Sequence, residues 1–200
     1  MSGVNYPLQL SFQIIAVAPQ IRIIDASGAQ ILYVRQKILK FKEHVEVYTD
    51  DTKAEKLCDI NADRVIDWSA VYRFTTPAGA SFGAVRRKGA RSLWRAHYEV
   101  FEDDVGDTPD FVIREEKASV KVMDGIFGGI PVIGGLAGYV FNPTYLVSKP
   151  DGSQVLRARK QPALWEGKFT IEKTGDLSDG EAVRTLVALL MMLLLERRRG

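Results

Sequence analysis

The chain has 200 residues, 46% of them hydrophobic, and a formal net charge of +2, a composition that suits one domain spanning 1–200 with a sizeable core. So small a charge, with no finger, helix-turn-helix or RNP pattern, points away from nucleic acid as a partner. The stretch Met1 to Pro7 lacks the basic and apolar regions of a secretory signal, and Cys58 is the single cysteine, so no internal disulfide can form and a reducing cytoplasm is the expected compartment.

From residue 8 to about residue 172 the pattern is period-two alternation, which predicts half-buried strands. Leu8, Leu10, Phe12 and Ile14 open it, and Leu39 and Phe41 with Val45 and Val47 continue it. Ile66, Trp68, Ala70, Tyr72 and Phe74 form a further set, and Trp94, Ala96, Tyr98 and Val100 another, each facing polar neighbours such as Lys40, His97 and Glu99. Turn signals separate them at Asp25-Ala26-Ser27-Gly28, Thr76-Pro77-Ala78-Gly79, Asp103-Asp104-Val105-Gly106 and Pro150-Asp151-Gly152. About twelve strands with short connections predict an antiparallel meander. A faint repeat runs through it: measured from Gly28, Gly79 and Gly152, an apolar residue lies three on (Ile31, Phe82, Val155) and an arginine seven on (Arg35, Arg86, Arg159). Its irregular spacing argues for a reused hairpin and against a solenoid.

The chain closes on a different period. Ser178 and Glu181 stand at capping-box spacing, and Leu186 to Leu195 is an unbroken apolar run ending at Glu196-Arg197-Arg198-Arg199. A helix is predicted from about 179 to 197, within 178–198, roughly 28 Å long. Asp179 and Glu181 at its start and the arginines at its end complement the helix dipole. A helix apolar on every side must be enclosed by protein or lipid. Its apolar part is shorter than the ~20 residues that span a bilayer, which favours a buried core helix. Closing the sheet around it removes the sheet's edges and fills the lumen. The predicted fold class is therefore mainly β: a closed antiparallel β-barrel enclosing a hydrophobic C-terminal helix.

The stretches Ala62-Asp63-Arg64-Val65-Ile66-Asp67, Val85-Arg86-Arg87-Lys88-Gly89 through Ser92-Leu93-Trp94, Pro150-Asp151-Gly152 and Met191 to Arg199 resemble the LURP-one-related family. That family groups with phospholipid scramblases and the Tubby C-terminal domain. The resemblance covers nearly the whole chain and implies a twelve-stranded antiparallel barrel wrapped around the terminal helix. It also implies an association with anionic phosphoinositides or with moving phospholipids. It carries no lipid-binding residue onto a numbered position, and fold likeness alone does not transfer a function.

The residues themselves offer one candidate site. Between Ala84 and Ala96 stand Arg86, Arg87, Lys88, Arg91 and Arg95 with no acidic residue among them, and Trp94 close by. Arginine forks and a lysine point charge suit the phosphate of a phospholipid head group. The same run also reads as a solvated strand face, with Arg86 and Lys88 on one side and Arg87 on the other. Gly125 to Phe141 is uncharged but rich in glycine and carries Pro131, which suits a strand-and-loop passage better than a helix. Glu102 to Asp110 lacks EF-hand spacing and reads as a hairpin turn. Cys58, His44 and His97 show neither nucleophile-elbow nor metal-ligand spacing, so neither catalysis, a metal nor a cofactor is expected. The leading expectation is a non-enzymatic binding module, peripheral to a membrane and holding anionic phospholipid. A scramblase-like protein using the helix or the glycine-rich segment in the bilayer, and a scaffold for an unknown protein partner, are the alternatives.

Overall fold

The computed structural model describes residues 3–13, 20–38, 43–63, 70–88, 96–103, 105–116, 142–162 and 167–197. Among these are twelve strands and one helix: β1 Leu8–Gln13, β2 Gln20–Ile24, β3 Gln30–Ile38, β4 Glu43–Tyr48, β5 Lys56–Ala62, β6 Val71–Thr75, β7 Ser81–Arg87, β8 His97–Phe101, β9 Phe111–Glu115, β10 Thr144–Ser148, β11 Gln154–Gln161, β12 Lys168–Lys173 and α1 Asp179–Arg197. Each strand pairs antiparallel with its sequence neighbours, and β1 pairs with β12, so the sheet closes with no free edge. The predicted fold class holds. Ile14, Leu39, Phe41, Ile66, Trp68 and Trp94, read above as strand residues, lie outside the described residues, as does the glycine-rich segment 125–141.

Alternation decides what each strand presents inward. Leu8, Leu10 and Phe12 of β1, Val45 and Val47 of β4, and Cys58 and Ile60 of β5 join one core with Leu186 to Leu194 of α1. Leu189, Leu190, Leu193 and Leu194 are all buried there together with Tyr72, so the all-apolar helix fills the lumen. Each such side chain contributes about 1.5–3 kcal/mol by leaving water.

Both helix ends are tied to the wall. The capping box forms: Ser178 N–H donates to Glu181 Oε2 at 2.7 Å, and Glu181 N–H donates to Ser178 Oγ at 3.3 Å. Arg184, the one charge in the approach to the apolar run, donates from Nε to the Phe82 carbonyl at 2.9 Å and from Nη2 to Glu102 Oε1 at 2.6 Å. Its stem needs the room left by Gly83 on β7, where an added Cβ would stand 2.8 Å from the Phe101 carbonyl and 3.0 Å from the Arg184 stem. At the far end Tyr98 O–H donates to Glu196 Oε1 at 2.6 Å, and Arg197 lies 4.7 Å from the Phe12 ring centroid.

The faint repeat is one turn closed three times by glycine, and Lys53, at φ +61° with its N–H on the Asp50 carbonyl and a register shift at Val47/Tyr48, closes the same turn between β4 and β5. Gly28, Gly79 and Gly152 have φ of +86°, +85° and +89°, and each N–H donates to the carbonyl three residues back. A register shift accompanies each, at Ile23/Ile24, Phe74/Thr75 and Val147/Ser148, as expected of a turn closed by a bulged glycine. These turns join β2 to β3, β6 to β7 and β10 to β11, recurring every fourth strand.

Candidate functional site

The strand β7 carries the basic run onto the barrel. Its register sets Arg86 opposite Glu99 of β8, and the pair faces outward because their neighbours Val85 and Val100 join the core. Arg86 donates to Glu99 Oε2 from Nη2 at 2.7 Å and from Nε at 3.1 Å, while Lys88 Nζ reaches Glu99 Oε1 at 2.6 Å. The Arg86 guanidinium also lies 4.9 Å from the Phe101 ring centroid and donates to the Gly106 carbonyl at 3.4 Å. Glu99 is buried, with 3% of its side chain exposed. Burial pushes its carboxyl upward, but hydrogen bonds from Lys88 and Arg86 outweigh that and hold it below the usual carboxylate range. Arg87 points the other way, 6.0 Å from the Tyr98 ring centroid. The division of Arg86 and Lys88 from Arg87 matches the alternation, yet the first two are engaged by a buried carboxylate that the sequence between Ala84 and Ala96 does not contain. Arg91 and Arg95 lie outside the described residues.

Charge is sorted along the barrel axis. The connections at the end where α1 begins carry Asp25, Asp50, Asp51, Glu55, Glu102, Asp103, Asp107, Asp110, Asp151 and Asp176, and α1 adds Asp179 and Glu181 there. Lys53 and Lys149 are the basic residues among the described ones in those connections. At the opposite end the described connections hold Lys88, Asp63 and Glu116, and the adjoining ends of strands and helix add Lys37, Arg87, Arg114, Arg159, Lys160, Lys168 and Arg197 with Glu43, Glu115 and Glu196. Glu116 is held by Arg157, at 2.8 and 3.0 Å. The acidic connection 102–110 is a hairpin, with Glu102 N–H donating to Asp110 Oδ2 at 2.7 Å, as its turn residues suggest.

A second cluster lies on the outer wall across β4 and β5. Register pairs His44 with Asn61 and Glu46 with Asp59. His44 Nδ1 is 2.8 Å from Asn61 Oδ1, and His44 Nε2 is 3.2 Å from Asp59 Oδ1 and 4.0 Å from Glu46 Oε1. Lys56 Nζ joins them, 3.1 Å from Asp59 Oδ1 and 3.3 Å from Glu46 Oε1. Hydrogen bonding to Asp59, opposed by desolvation, raises the Lys56 ammonium's pKa. Sequence spacing did not reveal this group, because Glu46 and Asp59 meet only through sheet register. One signal was available: His44-Val45-Glu46-Val47-Tyr48 and His97-Tyr98-Glu99-Val100-Phe101 share the order His, any residue, Glu, Val, aromatic.

Cys58 points the other way into the core, and burial pushes its thiol up to about 12, the opposite of an activated nucleophile. Among the described residues no helix is long and apolar enough to cross a membrane. No family model, no curated protein and no solved structure matches the chain.

Proposed function

We propose that this barrel is a non-enzymatic binding module that meets anionic phospholipid head groups at a membrane surface with the end where α1 finishes. The observation supporting the reading is the sorting of charge along the axis, since a dipolar barrel turns its basic end toward a negative surface and its acidic end away. Arg86 and Lys88 act in this reading as wall residues beside that end, one of their two positive charges offset by Glu99. Arg87, Arg159, Lys160 and Lys168, with Arg91 and Arg95 of the sequence that joins β7 to β8, supply the attraction. The packing of α1 among strand residues favours this reading over a scramblase-like one that would place the helix in the bilayer.

Flotation with neutral, phosphatidylserine and phosphoinositide liposomes tests the proposal. The expected result is binding to anionic vesicles only, weakening with salt as exposed charges are screened. Replacing Arg159, Lys160 and Lys168 together with Ala removes about 1 kcal/mol each and lowers apparent affinity roughly a hundredfold. Failure of the wild type to float with either anionic membrane at low salt overturns the lipid reading and leaves a protein-interaction module.

A further inference from the structure

We propose that His44, Glu46 and Asp59 form a binding site for a divalent d-block cation of the zinc class. The three residues offer one imidazole nitrogen and two carboxylate oxygens, ligand atoms that all lie within 4.8 Å of one another. Ligands of a tetrahedral zinc with bonds of about 2.0 Å stand about 3.3 Å apart. The separation of His44 Nε2 from Asp59 Oδ1, 3.2 Å, already meets that value, and the 4.0 Å to Glu46 Oε1 closes with a small side-chain rotation. One imidazole and two carboxylates with solvent completing the shell suit zinc better than calcium, which takes more oxygens.

The imidazole is aimed by a group outside the ligand set. Asn61 Oδ1 accepts from His44 Nδ1 at 2.8 Å, which places the proton on Nδ1 and turns Nε2 toward the two carboxylates. Nε2 is thereby left pointing at Asp59 Oδ1, 3.2 Å away, where it can either donate a proton to the carboxylate or share a metal ion with it. Lys56 currently supplies positive charge from beside the two carboxylates. It does so from a flexible stem with 29% of the side chain exposed, so its ammonium can swing outward when a metal enters.

The barrel contains its own control. His97 and Glu99 occupy the corresponding places on β8, but the register there sets Val112 opposite Glu99 and Arg114 opposite His97. Glu99 is held instead by Arg86 and Lys88. On its other side each His-x-Glu pair meets a basic strand, with Arg35 opposite Glu46 and Lys37 opposite His44 on β3 as Arg86 stands opposite Glu99 on β7, so the two places differ in their second neighbour: Asp59 and Asn61 on β5 against Val112 and Arg114 on β9.

The test is titration of the full chain, stripped with chelator, with Zn2+ in a calorimeter. The expected result is one saturable site, whose affinity falls at least about tenfold in His44→Ala and in Asn61→Leu, the loss typical of a ligand's hydrogen-bonded support. Because Lys56 competes from within hydrogen-bond distance, Lys56→Met raises the affinity about tenfold or more. His97→Ala leaves it unchanged. Co2+ in place of Zn2+ gives the visible absorption of a four-coordinate nitrogen–oxygen site. No saturable binding, binding that survives His44→Ala, or an affinity that Lys56→Met fails to raise each overturns the proposal. The last variant keeps every ligand, so it decides the matter even if His44→Ala folds poorly.

Discussion

Placing a carboxylate at position 190 is the most direct probe of the enclosed helix. Leu190 is fully buried among strand residues on every side. Truncation to Ala leaves a cavity and costs about 2–5 kcal/mol. Leu190→Asp adds the cost of keeping the new carboxyl protonated in a dry lumen. Raising its pKa from about 3.9 to above 7 costs about 4 kcal/mol at neutral pH. Together these reach about 7 kcal/mol, against the ~5–15 kcal/mol that holds a domain folded. The carboxyl's folded pKa is raised, so the added penalty is absent below the unfolded value and grows as pH rises above it. Urea unfolding at about pH 5 and about pH 7.5 should show Leu190→Asp losing about 3 kcal/mol more at the higher pH, while Leu190→Ala shows no such extra slope. Equal stability of the Asp variant and wild type at both values would mean that the helix is solvated, and the barrel's core would have to be redrawn.

Three further outcomes follow from the wall. Gly83→Ala should lower stability by about 1–3 kcal/mol, since φ is +150° and the new methyl meets backbone; an unchanged melting temperature would refute the close passage of Arg184. Glu99 has a depressed folded pKa, so its contribution is present above the unfolded value of about 4.3 and is lost as pH falls below it. Glu99→Gln should cost about 1.5–3 kcal/mol at neutral pH and flatten the acid limb of the stability curve, measured by calorimetry from neutral to acid. Burial raises the ionisation of Tyr72 and Cys58 to about 12 and that of Tyr98 and Tyr145 upward as well. Their stabilisation is complete below the unfolded values of about 10 and about 8.5 and is lost as pH rises. Tyrosinate absorbance for these residues should therefore appear only with loss of circular dichroism; full titration of every tyrosine in a folded chain would contradict their burial.

The helix and the barrel were legible because both rest on local pattern. The capping box, the apolar run and the Gly-punctuated hairpins each lie within a few residues, and closure followed from the need to enclose Leu186 to Leu195. The basic run was legible only as composition. Whether Arg86 faces water or a buried Glu99 depends on which residue of β8 stands across from it, and one step of register would exchange Glu99 for Tyr98 or Val100. The same holds for His44 and Asp59, which are fifteen positions apart in number but adjacent across β4 and β5. Sites made by cross-strand neighbours leave no spacing rule in the sequence, so a search for ligand motifs passes over them.

The helix that fills the lumen follows the last strand, and the first strand pairs with the twelfth. On the ribosome, strands would therefore emerge with neither their plug nor their closing partner yet made. Hairpins such as β2–β3 can form early, but their inward faces stay uncovered until α1 is released, and closure of β1 on β12 spans nearly the whole chain. Nascent chains should stay chaperone-bound and protease-sensitive until α1 has cleared the exit tunnel. Partial chains that stop before α1 should accumulate as aggregates, because unpaired strand edges and open apolar faces seek each other.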